Sequence, residues 1–528
     1  MKKHFFFLLL LIPGATKAQT INEYDVYLKP KEIPGLMGIQ SFAFAQHDGK
    51  WLVIGGRLDG LHRRQPFAAF DSIGHNNQIL VIDPAAGQLW KAPVDQLSVN
   101  LRNQLKGTNI CFTQDGYRLV LVGGYGINAS ADDHQTFPFL TTVNVPDLIQ
   151  AVQQQQLNDA LFHQVQDTLF AVTGGQLLQL ENTFYLVGGH RFDGRYNPAD
   201  RPTFTQTYTN SVRRFVLDAA GNPTFLPAFT NEQLMHRRDF NVTLQQTPSG
   251  QPYITAFSGV FRIGADLPFL SAVHIDGNGM TEQQGFRQYY HHYHCPEVPL
   301  FDPATGEMHT LFFGGIAQYE DSSGILLQDN DVPFVRTISR ITRSVNGEMK
   351  EYRFLTEMPA LLGAGGEFIV NPQLPVSSAG ILLFDPSKDS IRMGTILGGI
   401  ASSGRTIFWI NDDEESQAFS GMFDVILVKR PASQVENKMS HSELYLHAVR
   451  HTSEPRYQVS FTLKQTAEVT VQWSNRKGKI KHKGMVNGRI GENHYSVFLP
   501  KKPGIYKVEV TVSGNEPESL FVVIPEEG

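Results

Sequence analysis

Cysteine is almost missing from this chain: Cys111 and Cys295 are the whole supply in 528 residues. Two thiols make no disulfide framework, so a packed core has to hold the fold. Charge is sparse as well, at 18% of residues, with a formal net of −6. That balance, with no long basic stripe, argues against general affinity for nucleic acid. Beyond the N-terminus no apolar run reaches the roughly 18 residues that a spanning helix needs. Nor is there a nucleophile elbow, a phosphate-cradling loop or a zinc-protease helix.

What the chain does have is glycine, 47 in all, and much of it is placed in pairs. An apolar run closed by two small residues recurs six times: Trp51–Gly56, Leu119–Gly124, Phe184–Gly189, the degenerate Ile254–Gly259, Leu311–Gly315 and Gly394–Gly399. A strand-rich unit repeated every roughly 70 residues marks a radial or stacked array. The first unit shows its content. Gln40–Ala45 reads as a strand, Gln46–Lys50 as a turn, Trp51–Ile54 as a second strand, Gln78–Asp83 as a third and Leu89-Trp90 as a fourth. Third strands are expected at Thr141–Val145, Asn210–Leu217, Ser271–Ile275, Thr337–Thr342 and Met422–Val428.

Glycine pairs closing the second strand, then a loop, a strand ending near aspartate, a turn and an aromatic resemble the Kelch repeat. The resemblance runs over about residues 22–430 and implies an all-β fold, a six-bladed β-propeller. The sixth unit stops at its third strand, Phe423–Val428. The strand Tyr24–Leu28 is expected to complete it and close the ring. A Pro-Phe pair precedes several third strands (Pro66-Phe67, Pro138-Phe139, Pro268-Phe269, Pro333-Phe334), where the ring can wedge between blades. The spacing of Leu148, Val152, Leu157 and Leu161 predicts a helix within Asp147–Gln166.

Residues 1–18 read as a signal peptide: Lys2-Lys3, an apolar stretch from Phe5 to Ile12, and small residues at Thr16 and Ala18. The expectation is an exported protein, secreted or held at the cell surface. The propeller is assigned to 19–430, a linker to 431–441 and a small β-sandwich to 442–528. Gly478-Lys479, Gly491-Glu492-Asn493 and Pro503-Gly504-Ile505-Tyr506 resemble the C-terminal sorting domain of the type IX secretion system. That likeness implies the secretion machinery as a partner. The terminal Phe521–Gly528 departs from the usual basic-apolar ending, which leaves a plain accessory sandwich open.

In such a blade the entrance to the first strand and the loop between strands two and three share one face, where the long loops crowd. The ligand-binding candidates lie there: Arg57 and His190 at the start of two loops, Arg237, Arg238 and Asp239 at one strand entrance, and His291, His292 and His294 at another. In an extended strand His292 and His294 share a side, making them the candidate metal pair if a neighbouring blade supplies a third ligand. The competing reading is aromatics lining a channel. Arg237, Arg238 and Asp239 equally suit a structural ion pair.

Tyrosine, histidine and cysteine together are also similar to the copper-radical oxidases on Kelch-like propellers, although those have seven blades and a distant cysteine. The exported sialic acid mutarotase is another six-bladed Kelch relative, whose likeness implies acid–base groups and a guanidinium for a sugar carboxylate. The reading favoured here is a binding module for glycan or protein. A sugar-acid mutarotase is the alternative, and no cofactor is assigned. Cys111 and Cys295 fall on opposite blades, too far apart for a bridge.

Overall fold

The computed structural model describes residues 20–524 apart from 66–67, 198–202, 323–324, 409, 411–413, 432–446, 451–455, 464, 476–477, 499–503, 514 and 516. The expected signal peptide, the expected linker except Pro431, and Pro66-Phe67 lie outside the described residues. No described helix is long and apolar enough to cross a membrane.

The fold is all-β and propeller-like. Six consecutive units, each built on four antiparallel strands, make up residues 24–429, and the fifth adds the short parallel strand Leu382–Leu383 to its inner edge. Their inner strands begin at Ala43, Cys111, Gln176, Asn241, Glu297 and Glu367, and successive inner strands pack against one another. In blade one the order is Ala43–His47, Lys50–Ile54, Gln78–Asp83 and Gln88–Pro93. Blade six takes Glu367–Val370, Ser390–Leu397 and Met422–Lys429 from the end of the ring, and Tyr24–Lys31 from its beginning. That N-terminal strand pairs along its whole length, from Tyr24 opposite Lys429 to Lys31 opposite Met422. The edge that blade six would otherwise present is thereby covered.

The glycine pairs explain how one blade locks onto the next. The second glycine of each pair donates its N–H to a carbonyl at the following blade's entrance: Gly56 to Gly107 at 2.8 Å, Gly124 to Val172 at 3.0 Å, Gly189 to Arg237 at 2.8 Å, Gly315 to Leu362 at 2.8 Å and Gly399 to Ile39 at 2.8 Å. Such closeness leaves no room for a side chain. A Cβ on Gly123, which sits at φ +66°, would lie 1.9 Å from the Val172 carbonyl oxygen. Apolar layers fill the space between blades, as where Ile54, Val81 and Leu101 of one unit meet Ile110, Leu121 and Val143 of the next.

Two local expectations need correction. The helix ends earlier than its leucines suggest, at Val145–Gln154, because Gln155 turns left-handed at φ 57°. Phe162–Gln166 is instead the outer strand of blade two. The segment around His291–Cys295 is not a strand, since His291 is left-handed at φ 56° and the inner strand starts only at Glu297. In the sandwich, the lysine-rich Ile480–Gly488 is a full strand paired with Ala467–Asn475.

The sandwich is also larger than its own stretch of sequence. One sheet comprises His447–Arg450, Arg456–Leu463 and Gly491–Phe498. The other runs Ile480–Gly488, Ala467–Asn475, Gly504–Val512 and Glu518–Ile524. It then continues into Ile325–Asp329 and Tyr319–Ser322, a hairpin from blade five's long loop. Three further long loops carry hairpins of their own, pairing Tyr125–Asn128 with Asp133–Thr136, His190–Asp193 with Thr205–Tyr208, and Ile400–Ser402 with Ser416–Ala418.

Candidate functional site

The six strand entrances meet at the axis in a closed ring of hydrogen bonds. Ser41 N donates to Gly365 O at 2.7 Å, and Asn109 N to Ser41 O at 3.0 Å. Asp239 N donates to Gly174 O at 2.7 Å, His294 N to Asp239 O at 2.8 Å, and Gly365 N to His294 O at 3.0 Å. The Thr173 hydroxyl closes the remaining gap onto Asn109 O at 3.3 Å. Five of the six ring residues are left-handed: Ser41, Asn109, Gly174, Asp239 and Gly365. Glycine, asparagine and aspartate tolerate that conformation best, which accounts for most of these identities.

Inside the ring is a pocket whose polar lining includes Ser41, Asn109, Gln176, Asp239, His294 and Glu367, with Phe42, Ile110 and Phe112 as its apolar wall. His294 spans it. Its Nε2 faces Glu367 Oε1 at 3.3 Å, and its Nδ1 faces Gln176 Nε2 at 3.2 Å. The same Gln176 amide nitrogen reaches Phe240 O at 3.2 Å, so it is the donor to Nδ1, and the Nε2 proton points at Glu367. Burial alone would lower the His294 pKa, but Glu367, with Glu297 and Asp239 adding to it, outweighs burial and lifts it above 6.5. Deeper in the channel, desolvation with repulsion from Glu367 pushes Glu297 up to about 8, against the pull of His294. Its Oε2 is shielded and has no partner among the described residues.

The sign of both shifts is the same. The stabilisation from His294 is complete below its unfolded value and is lost as pH rises through its raised folded value. Glu297 keeps its proton in the folded chain up to about 8, whereas the unfolded chain releases it near 4.5, so stability falls across that window. Buried histidines such as His62 and His190, whose pKa values are held down, act in the opposite direction below 6.5, so the comparison is between parent and variant: the melting temperature of Glu297→Gln should gain on that of the parent as pH rises from 5 to 8.5. An unchanged slope in Glu297→Gln would remove the axial carboxyl from the account.

At the mouth above the ring, Arg238 is the cation. Its Nη1 donates to Asp239 Oδ2 at 2.5 Å, its Nε to the Tyr208 hydroxyl at 3.2 Å, and its guanidinium lies over Phe261 at 4.9 Å. About a quarter of its side chain is exposed. Burial works against its charge, but Asp239, Tyr208 and Tyr293 hold its pKa above the usual arginine value. Aromatic rings crowd round it. His62 stacks on Phe70 at 4.7 Å and meets Tyr196 edge-on at 4.8 Å, while Tyr208 stacks on His236 at 3.8 Å. His62 comes from blade one and Arg238 from blade four, opposite positions in the ring. Burial, together with the charges of Arg238 and Arg57, holds the His62 pKa down near 4.

The remaining sequence candidates go elsewhere. Arg237 points away from its neighbour into the protein, fully buried, donating to Leu234 O, Ser258 O and Ser271 O and to the Ser271 hydroxyl. Arg57 is 1% exposed and is bound to Asp59, with further contacts to Asp71 O at 3.1 Å and His75 at 3.4 Å. His190 is buried beside Tyr208 and takes a hydrogen bond from Gln206 at 2.7 Å. Burial, with a contribution from Arg238, keeps its pKa well below 6.5. His291 is buried against Phe312 with Nδ1 on Gly314 O at 2.7 Å.

His292 and His294 do not share a side. His292 Nδ1 accepts from Gln318 N–H at 2.9 Å, so its Nε2–H donates to Gln288 O at 3.1 Å and neither nitrogen has a lone pair to offer. Among the described residues no group of three or more histidine, cysteine or carboxylate side chains is placed to hold a metal. Cys111 and Cys295 are buried free thiols, and burial pushes the Cys111 pKa up to about 12.

Of the candidates, then, the structure brings together Arg238, Asp239 and His294. Sequence reasoning missed Asn109, Gln176 and Glu367. A signal for Asn109 existed in the small or short polar residue standing two places before most inner strands; Gln176 and Glu367 are themselves the first residues of inner strands and carry no such mark.

No family model matches this chain, and no curated protein does. Among solved structures it is similar to YjhT, with 11% identity over 74% of this chain and 99% of that one, at a TM-score of 0.41. A protein from Lactobacillus plantarum gives 10% identity, 85% and 99% coverage and a TM-score of 0.28. An endo-1,5-alpha-L-arabinanase from Thermotoga petrophila RKU-1 gives 9% identity, 78% and 94% coverage and a TM-score of 0.24. No residue role is carried over from them.

Proposed function

We propose that this protein binds glycans through the axial mouth and that the ligand carries a carboxylate. The observation that supports this reading most is Arg238: a partly exposed guanidinium held in place by Asp239, Tyr208 and Phe261, among flat aromatic side chains and above a pocket of hydrogen-bonding groups. A guanidinium fixed in this way suits a planar anion, and aromatic faces with amide and carboxyl groups suit a polyhydroxylated ring. In this reading the chain is a Kelch-repeat propeller exported by its leader, and its C-terminal sandwich is what the type IX machinery would recognise.

Calorimetric titration with galacturonate, N-acetylneuraminate and galactose tests the proposal. The two acids should bind at least tenfold more tightly than the neutral sugar, and Arg238→Ala should abolish that preference, a loss of about 1.4 kcal/mol or more. Equal affinity for galactose, or an unaffected Arg238→Ala, would overturn it.

One observation favours a second reading, a sugar-acid mutarotase. The His294–Glu367 pair stands in the pocket beneath Arg238, where ring opening needs a base for the anomeric hydroxyl and an acid for the ring oxygen. Anomer exchange of the bound acid followed by NMR distinguishes this from simple binding. Acceleration by the wild type that disappears in His294→Ala would make the protein an enzyme.

A further inference from the structure

The connection between sandwich and propeller carries an inference about what the C-terminal segment does once the chain has folded. Two strands of blade five's loop lie in a sandwich sheet, where Leu327, Gln328 and Asp329 run parallel to Phe521, Val522 and Val523. The apolar cores are continuous as well. Leu270, Tyr289, Tyr290 and Tyr319 of the propeller share one buried cluster with Val459, Phe461, Trp473 and Val508 of the sandwich.

At the centre is Gln328, fully buried. Its carbonyl accepts from Ala448 N–H at 2.8 Å and from the Tyr319 hydroxyl at 3.1 Å. Its amide donates to Ala448 O and to Asn330 Oδ1, the latter at 2.8 Å. All four hydrogen-bonding positions of the side chain are used.

From Gln328 the line continues to the mouth. Asn330 Oδ1 accepts from Gln318 Nε2 at 2.7 Å, and the Gln318 backbone N–H donates to His292 Nδ1 at 2.9 Å. His292 is followed directly by Tyr293 and His294, which stand at the mouth and in the pocket. We infer that the C-terminal sandwich is a permanent part of the folded protein and, through Gln328 and His292, positions the blade-five side of the axial mouth. Cutting the chain between the two would then leave them together, because separation exposes a tyrosine-rich face and an open strand edge.

A specific protease site placed within residues 432–446 of the full chain tests this. After cutting, both pieces are expected to elute together at native conditions and to melt in one transition. Hydrogen exchange supplies a second readout: Gln328→Ala should speed exchange at residues 289–294 at least several-fold, well away from the substituted strand. A propeller fragment that elutes alone with an unchanged melting temperature would overturn the permanent association. Exchange that changes only within 447–524 would overturn the coupling to the mouth. Neither result depends on a sugar ligand, so failure here is distinguishable from failure of the proposed function.

Discussion

Replacing Tyr24 by alanine should cost about 3–5 kcal/mol, the range for removing a large buried aromatic. Tyr24 is fully buried at the start of the closing strand, edge-on to Phe384 at 5.1 Å. Its hydroxyl lies 2.6 Å from Lys388 O and 3.0 Å from Pro386 O. The side chain therefore ties the first described strand to a turn of blade six that lies 362–364 residues away in sequence. Tyr24→Phe keeps the packing and isolates the hydroxyl, for which about 1–2 kcal/mol is expected. Urea unfolding should show a lower midpoint with little change in slope for Tyr24→Phe. Tyr24→Ala should add a change in slope if blade six opens while the rest stays folded. A loss under about 1 kcal/mol in Tyr24→Ala would mean that blade six holds without its N-terminal strand.

The blades were legible because their signals are local and repeated. A continuously buried apolar run closed by two small residues, Gly-Gly in five of six units and Ser258-Gly259 in the other, marks where a strand ends against the backbone of the next blade, and Gly123 shows how little room a side chain would have there. The site was only half legible. Arg238 and Asp239 could be placed at the face from the entrance geometry, but whether Arg237 or Arg238 faces the mouth depends on a backbone turn. Asp239 is left-handed at φ 51°, so simple alternation fails just where it would have been needed. The same failure at His291 undid the pairing of His292 with His294. Gln328 could not be read at all. Its partner Ala448 lies in a different sheet and a distant segment, and a glutamine in a polar loop carries no mark of burial.

Arg237→Met provides the opposite result to Arg238→Ala from the adjacent position. Arg237 has no carboxylate within ion-pair distance among the described residues. Its charge is spread over three backbone carbonyls and one hydroxyl, with the guanidinium over Phe269 at 4.2 Å. Burial lowers its pKa to about 9, still high enough to keep it charged at neutral pH. Methionine fills most of the volume but leaves Leu234 O, Ser258 O and Ser271 O without donors, at about 1–3 kcal/mol for each one that water cannot reach. A loss of at least 3 kcal/mol is expected, with the affinity of the remaining folded protein for a sugar acid unchanged. Arg238→Ala should stay within about 1 kcal/mol of the parent, since its ion pair with Asp239 is partly exposed, and should lose the ligand instead. If Arg237→Met weakened binding without lowering stability, the two arginines would have to exchange roles, and the site would move from the axial mouth into the blade-four interior.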